Sequence, residues 1–298
     1  MKLKKWLISS LVLSASVIVS QKILKQLNKQ SKFKQLKRNH TQHDRIPTLL
    51  IHGTNGTRRS LGGMIERWGK QGLAYKALEV EVSRDGELTL TGNWQELHPE
   101  QQPLIQVIFK EGNPPEWQQG EWLKNILELL KQELQIQKVQ MLGHSMGGVA
   151  ILRYLVDYGQ DNTLPKVSKV VALGTPFNSE EVSSSGKTKY DLGTAGPLTE
   201  YPTYRYLKAY YQNLPRELSL LNIYGDLKNG SRSDGFVSVD SAKAIRFLIK
   251  GWIETYSERQ VLGVRAQHSL LHENKQVDRL AANFLWGHQH LHFKKGGH

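Results

Sequence analysis

Between Val139 and Gly159 the chain reads VQMLGHSMGGVAILRYLVDYG, and few folds can accommodate it. Met141 and Leu142 close a short apolar run with the look of a buried strand. Beyond Gly148, Val149, Ile151, Leu152, Leu155 and Val156 recur at the spacing of one apolar helix face. Between the two stands Gly143-His144-Ser145-Met146-Gly147, a G-x-S-x-G arrangement. On such a strand-to-helix turn the serine oxygen is lifted clear of the backbone. The flanking glycines are needed because a Cβ at either place would collide with the neighbouring strand or helix. Ser145 is therefore the candidate nucleophile. The competing reading is a glycine-rich turn with a solvated serine, and the choice depends on what the rest of the chain supplies.

At 298 residues the chain is long enough for one large domain, or two small ones, with a substantial core. It contains no cysteine, which excludes disulfides, thiolate metal sites and a cysteine nucleophile. The formal net charge of +13 invites a nucleic-acid reading, but its distribution argues against one. Eleven basic residues and one acid in residues 1–45 leave that segment at +10 and the other residues at +3. No basic patch interleaved with aromatics occurs in the body, so no nucleic-acid partner is expected. The leader has a cationic start, an uncharged run from Trp6 to Gln21, and then a basic Lys/Gln-rich stretch. The run is long for a signal-peptide core and short for a spanning helix. Residues 1–45 are thus expected to be a signal or anchor segment with a basic linker, giving a secreted or membrane-anchored protein on the extracytoplasmic side.

From Ile46 the chain alternates strand and helix patterns, which indicates an α/β domain. PTLLIHG, PLIQVIFKEGNPP, VSKVVALGTPF and ELSLLNIYGD are core strands, and ERQVLGVRAQ is expected to be the last. ALEVEVSRDGELTLTG alternates around Asp85-Gly86 and predicts an inserted β-hairpin. Trp117–Leu134 predicts an amphipathic helix with Trp122, Ile126, Leu129, Leu130 and Leu134 inward, and a final helix runs through Val277, Ala281 and Leu285. Residues 178–215 fit neither pattern: a loop is followed by Tyr201, Tyr204, Tyr206, Tyr210 and Tyr211. These tyrosines either pack on the body or form a small cap whose aromatic wall receives the substrate. The two readings are compatible.

Acyl transfer requires donors for a developing oxyanion, usually two backbone N–H groups. One is expected from Met146, the residue after the serine. The other is expected from Thr54 in LLIHGTNGT, with Asn55 as the fallback. His52 and His144 read as structural histidines. The acid and base should follow the serine in the order acid, then histidine. The loop after LSLLNIYG offers Asp226, Asp234 and Asp240. Asp234 is preferred because Gly235 permits a tight turn, Asp226 suits a turn, and Asp240 looks like the cap of a helix starting near Ser241. RAQHSLLHEN offers His268, expected at the strand's end, and His272 one helical turn onward, on a segment whose Leu270 and Leu271 face inward. His268 is preferred as the base.

The ordered set HGTNG, LGHSMGG, GTPFN, SDGFVS and HSLLHEN resembles the α/β-hydrolase superfamily, and more narrowly a bacterial family of cell-surface hydrolases without an assigned substrate. The resemblance runs from about Ile46 to Trp286 and includes the hairpin. It implies a mostly parallel eight-stranded sheet flanked by helices, and a triad of Ser145, Asp234 and His268.

The expected domain organisation is leader 1–45, α/β-hydrolase domain 46–286 with a cap insertion at about 178–215, and a His/Gly-rich tail 287–298. His288, His290 and His292 read as a flexible tail rather than a metal site. The expected activity is hydrolysis of a carboxylic ester, on a small-molecule or lipid-like substrate, with a membrane partner through the leader and no cofactor or metal. The alternatives are a peptidase, thioesterase or acyltransferase with the same mechanism, or a non-catalytic surface-associated binding protein. Fold alone does not separate them.

Overall fold

The computed structural model describes residues 46–96, 98, 100–111, 113–178 and 192–287, all within the unit His43–His298. The leader, residues 179–191 of the expected cap loop, and the tail histidines lie outside the described residues. The alternating apolar residues of the hairpin form strands β2 (Ala74–Val82) and β3 (Leu88–Gly92), paired antiparallel with Val82 opposite Leu88. Gly86 supplies the left-handed backbone of the turn, at φ 78°. The other strands are β1 (Thr48–Ile51), β4 (Gln102–Phe109), β5 (Lys138–His144), β6 (Lys166–Leu173), β7 (Ser219–Asp226) and β8 (Thr255–Leu262). They complete an eight-stranded sheet in the order β3-β2-β4-β1-β5-β6-β7-β8, parallel except for the hairpin.

Strands buried on both faces should read as unbroken apolar runs. β1 is buried throughout, and β4, β5 and β7 beyond their first residue. β8 is a partly exposed edge with Glu258 and Arg259, charges of the kind that discourage further strand pairing.

Helix α1 (Arg58–Lys70) was not anticipated. Leu61, Met64, Ile65 and Trp68 form its apolar face, and the Thr57 side chain caps its first turn. With α7 (Lys275–Trp286) it packs on one face of the sheet over Leu50, Leu104, Leu142 and Val171. α2 (Glu116–Leu134) packs against α3 (Met146–Tyr158), which lies on β5 and β6. α2 buries Trp122, Ile126 and Leu130 as expected, with Leu129 and Leu134 only part-buried.

The described part of the expected cap, 192–215, carries helix α4 (Pro202–Tyr210) and a 3₁₀ turn, Tyr211–Asn213. Three of its tyrosines pack on the body, while Tyr201 and Tyr210 are exposed. Tyr204 is buried, the Tyr206 ring lies 3.6 Å from the Arg153 guanidinium of α3, and its hydroxyl bonds Asp157. Tyr211 meets Trp252 edge-on at 5.3 Å. Short helices α5 (Val239–Lys243) and α6 (Arg246–Ile249) follow β7. Asp240 does not cap α5. Ser238 does, accepting from Ser241 N, while Asp240 pairs with Arg232 at 2.9 Å.

In a parallel sheet, ligands bind beyond the strand C-termini, where the chain reverses its direction of winding. Here that place is beside β1 and β5, neighbours in register with Ile51 opposite Gly143. The pairing brings His52-Gly53 alongside His144-Ser145.

Candidate active site

The turn between β5 and α3 holds Ser145 at φ 54°, ψ −126°, a conformation that costs a non-glycine residue roughly 1–3 kcal/mol. Its neighbours show why the glycines recur. A Cβ on Gly143 would lie 2.5 Å from Gly148 N, and one on Gly147 would lie 2.4 Å from Ile51 O. The turn is fastened by Ser145 N donating to Leu173 O at 2.9 Å, and by Gly148 N donating to Ser145 O. Ser145 is 8% exposed. Its side chain faces a cavity of about 390 Å³ lined by residues of the β1 and β5 loops, Phe236, Val237 and the segment 268–272.

The loop after β1 passes close to the serine, because a Cβ on Gly53 would meet Ser145 Cβ at 2.6 Å. His52 shapes this loop. Its Nδ1–H donates to Gly53 O at 2.8 Å, and its Nε2 accepts from Phe109 N at 3.0 Å. These partners require the neutral ring, and burial lowers its pKa from the ordinary value. Beyond the loop, Arg58 begins α1 and binds Glu79 of β2, whose carboxyl Arg58 holds down at about 2. Gln106 of β4 donates to Arg58 O, so the end of the loop is tied to two strands. Thr54 lines the cavity. Met146 is the first residue of α3, so its N–H has no acceptor within the helix.

Asp234 stands in a tight turn, where Ser233 bridges Ser238 and Gly235 adopts φ 98°. Its Oδ1 accepts from Phe236 N at 3.0 Å and Val237 N at 2.7 Å. Its Oδ2 accepts from His268 Nδ1 at 2.8 Å, and His268 N donates to Asp234 O at 2.9 Å. The carboxylate is fully used, and its side chain is 1% exposed. The acceptor places the ring proton on Nδ1 and leaves Nε2 of His268 as the basic nitrogen. Ser145 Oγ makes no hydrogen bond to this ring here. Such contacts often tighten only when substrate binds.

His268 does not sit at the end of the last strand, as the sequence suggested. β8 stops at Leu262, and a 3₁₀ turn (Val264–Ala266) precedes a second one, His268–Glu273, that carries both histidines. Leu271 faces inward but Leu270 is 41% exposed, because three residues per turn separates their directions. Asp226 is not brought to the cavity: it accepts from Lys228 N at 2.8 Å and from Gln260 at 3.3 Å. His144 donates from Nε2 to His268 O at 3.1 Å, fixing the main chain at His268. Burial and the neighbouring His268 and His272 push its pKa well down.

Sequence reasoning missed a group that supports the same segment. Arg67 of α1 binds Asp278 at 2.6 Å, Glu273 at 2.5 Å and His272 O at 2.6 Å. The residues lie more than two hundred positions apart, and α1 itself was unrecognised. Its apolar spacing at 61, 64, 65 and 68 was the available signal. Among the described residues, no group of three or more His, Cys, Asp or Glu could hold a metal ion, and no helix is long and apolar enough to cross a membrane.

Residues 16–288 match the sequence profile of a family described as alpha/beta hydrolase of unknown function (DUF915). A solved structure of the lin2722 gene product from Listeria innocua is 29% identical, with a TM-score of 0.74 over 83% of this chain and 96% of that one. A Lactobacillus plantarum structure, provisionally named a cell surface hydrolase, is 19% identical, with a TM-score of 0.64 over 81% and 90%. No curated protein matches the chain.

Proposed function

The chain belongs to this family of alpha/beta hydrolases of unknown function, and on that premise we propose that it is a serine hydrolase of carboxylic esters. One observation carries the reading. The imidazole of His268, tied through Nδ1 to Asp234, lines the same cavity as a serine held in strained backbone.

Ser145 Oγ attacks the ester carbonyl, and His268 Nε2 takes its proton. The imidazolium so formed is stabilised by the Asp234 carboxylate, which cannot turn away because two backbone N–H groups hold its other oxygen. The carbonyl oxygen gains negative charge and is received by the N–H groups of Thr54 and Met146, helped by the positive end of α3. Collapse expels the alcohol, which takes the proton from His268. A water molecule then repeats the sequence on the acyl-enzyme and frees Ser145.

Among the described residues the cavity lining carries no lysine, arginine or carboxylate, which supports an uncharged substrate. The basic leader with its uncharged run supports action outside the cytoplasm, attached to or released from the membrane. The name of the L. plantarum neighbour agrees with this.

The test is labelling with a fluorophosphonate probe, together with turnover on a panel of 4-nitrophenyl esters, an amide and a thioester. We expect labelling and ester turnover, both abolished by Ser145→Ala with the fold retained. Labelling that persists in this variant would put the nucleophile elsewhere. Faster turnover of the amide or thioester would change the reaction class.

A further inference from the structure

A second imidazole–carboxylate pair lines the same cavity, and the mechanism above does not use it. His272 lies in the same 3₁₀ turn as His268 and binds Glu273 Oε1 through Nδ1 at 3.1 Å. Glu273 is itself anchored: its Oε2 accepts from Arg67 Nη1 at 2.5 Å, and Arg67 is held in turn by Asp278. The carboxylate lies against α1 at Gly63, where a Cβ would come 2.5 Å from Glu273 Oε2. Arg67 also donates to the main-chain oxygen of His272, so ring and backbone are both fixed.

Because a carboxylate only accepts, the proton of His272 sits on Nδ1 and Nε2 carries a lone pair. Nε2 has no hydrogen-bond partner among the described residues, and it is not one of the buried polar atoms left unpaired there. It therefore keeps some exposure, and the cavity is the open space that His272 lines. Burial lowers the pKa of His272, with His268 and Arg67 acting in the same direction against Glu273, so the ring is neutral near pH 7. The rest of the lining agrees in character. Thr54, Asn55, Ser60 and Ser269 are polar, and among the described residues Phe236 and Val237 are its only large apolar side chains.

We propose that His272 is a specificity-determining residue whose Nε2 accepts a hydrogen bond from a hydroxyl or N–H group of the substrate, making the preferred substrate a short, hydroxylated or amide-bearing ester rather than a long-chain lipid. This rests on the serine-hydrolase reading of the same cavity. A site with an acceptor ready for a donor loses affinity for an analogue that lacks one, because the acceptor is stripped of water and left unpaired.

The experiment measures kcat/KM on two matched pairs: 4-nitrophenyl butyrate with 4-nitrophenyl 3-hydroxybutyrate, and propyl butyrate with 2,3-dihydroxypropyl butyrate. We expect the hydroxylated member of at least one pair to be favoured about tenfold, the scale of one net hydrogen bond. His272→Phe should abolish that preference. His272→Gln, whose amide oxygen still accepts, should retain part of it, and it carries the test if the Phe variant fails to fold. Equal turnover of both members of both pairs by the wild type overturns the proposal, as does a preference that stays unchanged in His272→Phe or, where that variant does not fold, in His272→Gln. Wild-type protein that neither turns over any of the four esters nor reacts with the fluorophosphonate removes the serine-hydrolase reading, and this inference with it. Reaction with the probe without discrimination removes only this inference.

Discussion

Two histidines four residues apart face one cavity, each with a carboxylate on Nδ1, and their surroundings give them different chemistry. Asp234 comes from another loop and is 1% exposed, and its neighbours are neutral backbone N–H groups. Its negative charge is therefore directed at His268 and can stabilise an imidazolium. Glu273 is the next residue to His272, its side chain is 37% exposed, and Arg67 already compensates it. What remains for His272 is orientation without much stabilisation of charge. A carboxylate beside a histidine thus makes a base only where no cation competes for it. The His144 ring lies against both, tilted at 4.7 Å from His268 and edge-on at 4.8 Å from His272, so a charge on either disfavours a charge on His144.

The sharpest way to break this comparison is to remove the charge from each carboxylate. Asp234→Asn should lower kcat by about 10⁴, the scale of a triad whose imidazole is held in the wrong tautomer. Glu273→Gln should leave kcat within about tenfold. Steady-state kinetics on the two purified variants decides it, and equal losses would mean that the pairs are not distinct.

A smaller effect should come from the cation that separates them. Arg67→Met leaves Asp278 buried without its partner, and removing one member of such a pair costs roughly 3–5 kcal/mol. Arg67 is itself partly exposed, so the lower end is expected. Urea unfolding should show this loss, and a Tm equal to wild type would dismiss the network as ornamental.

The smallest effect is in pH dependence. His52, His144 and His272 all have folded-state pKa values below the ordinary value of about 6.5, chiefly through burial. Below that value the unfolded chain binds protons that the folded chain refuses. Stability is therefore complete above about pH 7 and falls as pH drops towards 5. The Glu79 carboxyl, held down at about 2, adds no slope in that window, because its stabilisation is lost only at lower pH. Thermal melts should show Tm falling across it, with a shallower slope in His144→Gln. A flat Tm from pH 7.5 to 5 would mean that these rings are protonated in the fold as readily as outside it.

Much of this was readable beforehand, and the failures have physical causes. The elbow, the hairpin and the strands β1, β4, β6 and β7 depend on local patterns: glycines where backbones touch, alternation, and unbroken apolar runs. Helix α1 was overlooked because Gly62 and Gly63 and its charged residues dilute the apolar signal. The ends of elements were misjudged for related reasons. Ser238 displaced Asp240 as a cap because Arg232 claims Asp240, and the chain after β8 coils through two 3₁₀ turns that no periodicity announces. The tyrosines of 201–211 read equally well as cap or packing. Arg153, Asp157 and Trp252, remote in sequence, draw Tyr206 and Tyr211 onto the body.

The sequence by itself determined that a serine stands on a glycine-flanked turn between strand and helix, because that geometry is dictated by neighbours within a few residues. It also narrowed the candidate acid and base to a few side chains in two loops. Only the tertiary structure decided which of them meet, since Asp234 and His268 are brought within 2.8 Å by the packing of β7 against β8 and the turns beyond them. It likewise decided that the charge of Glu273 belongs to Arg67. Electrostatic partnership depends on distance through space, and nothing local in a chain encodes which distant cation will arrive.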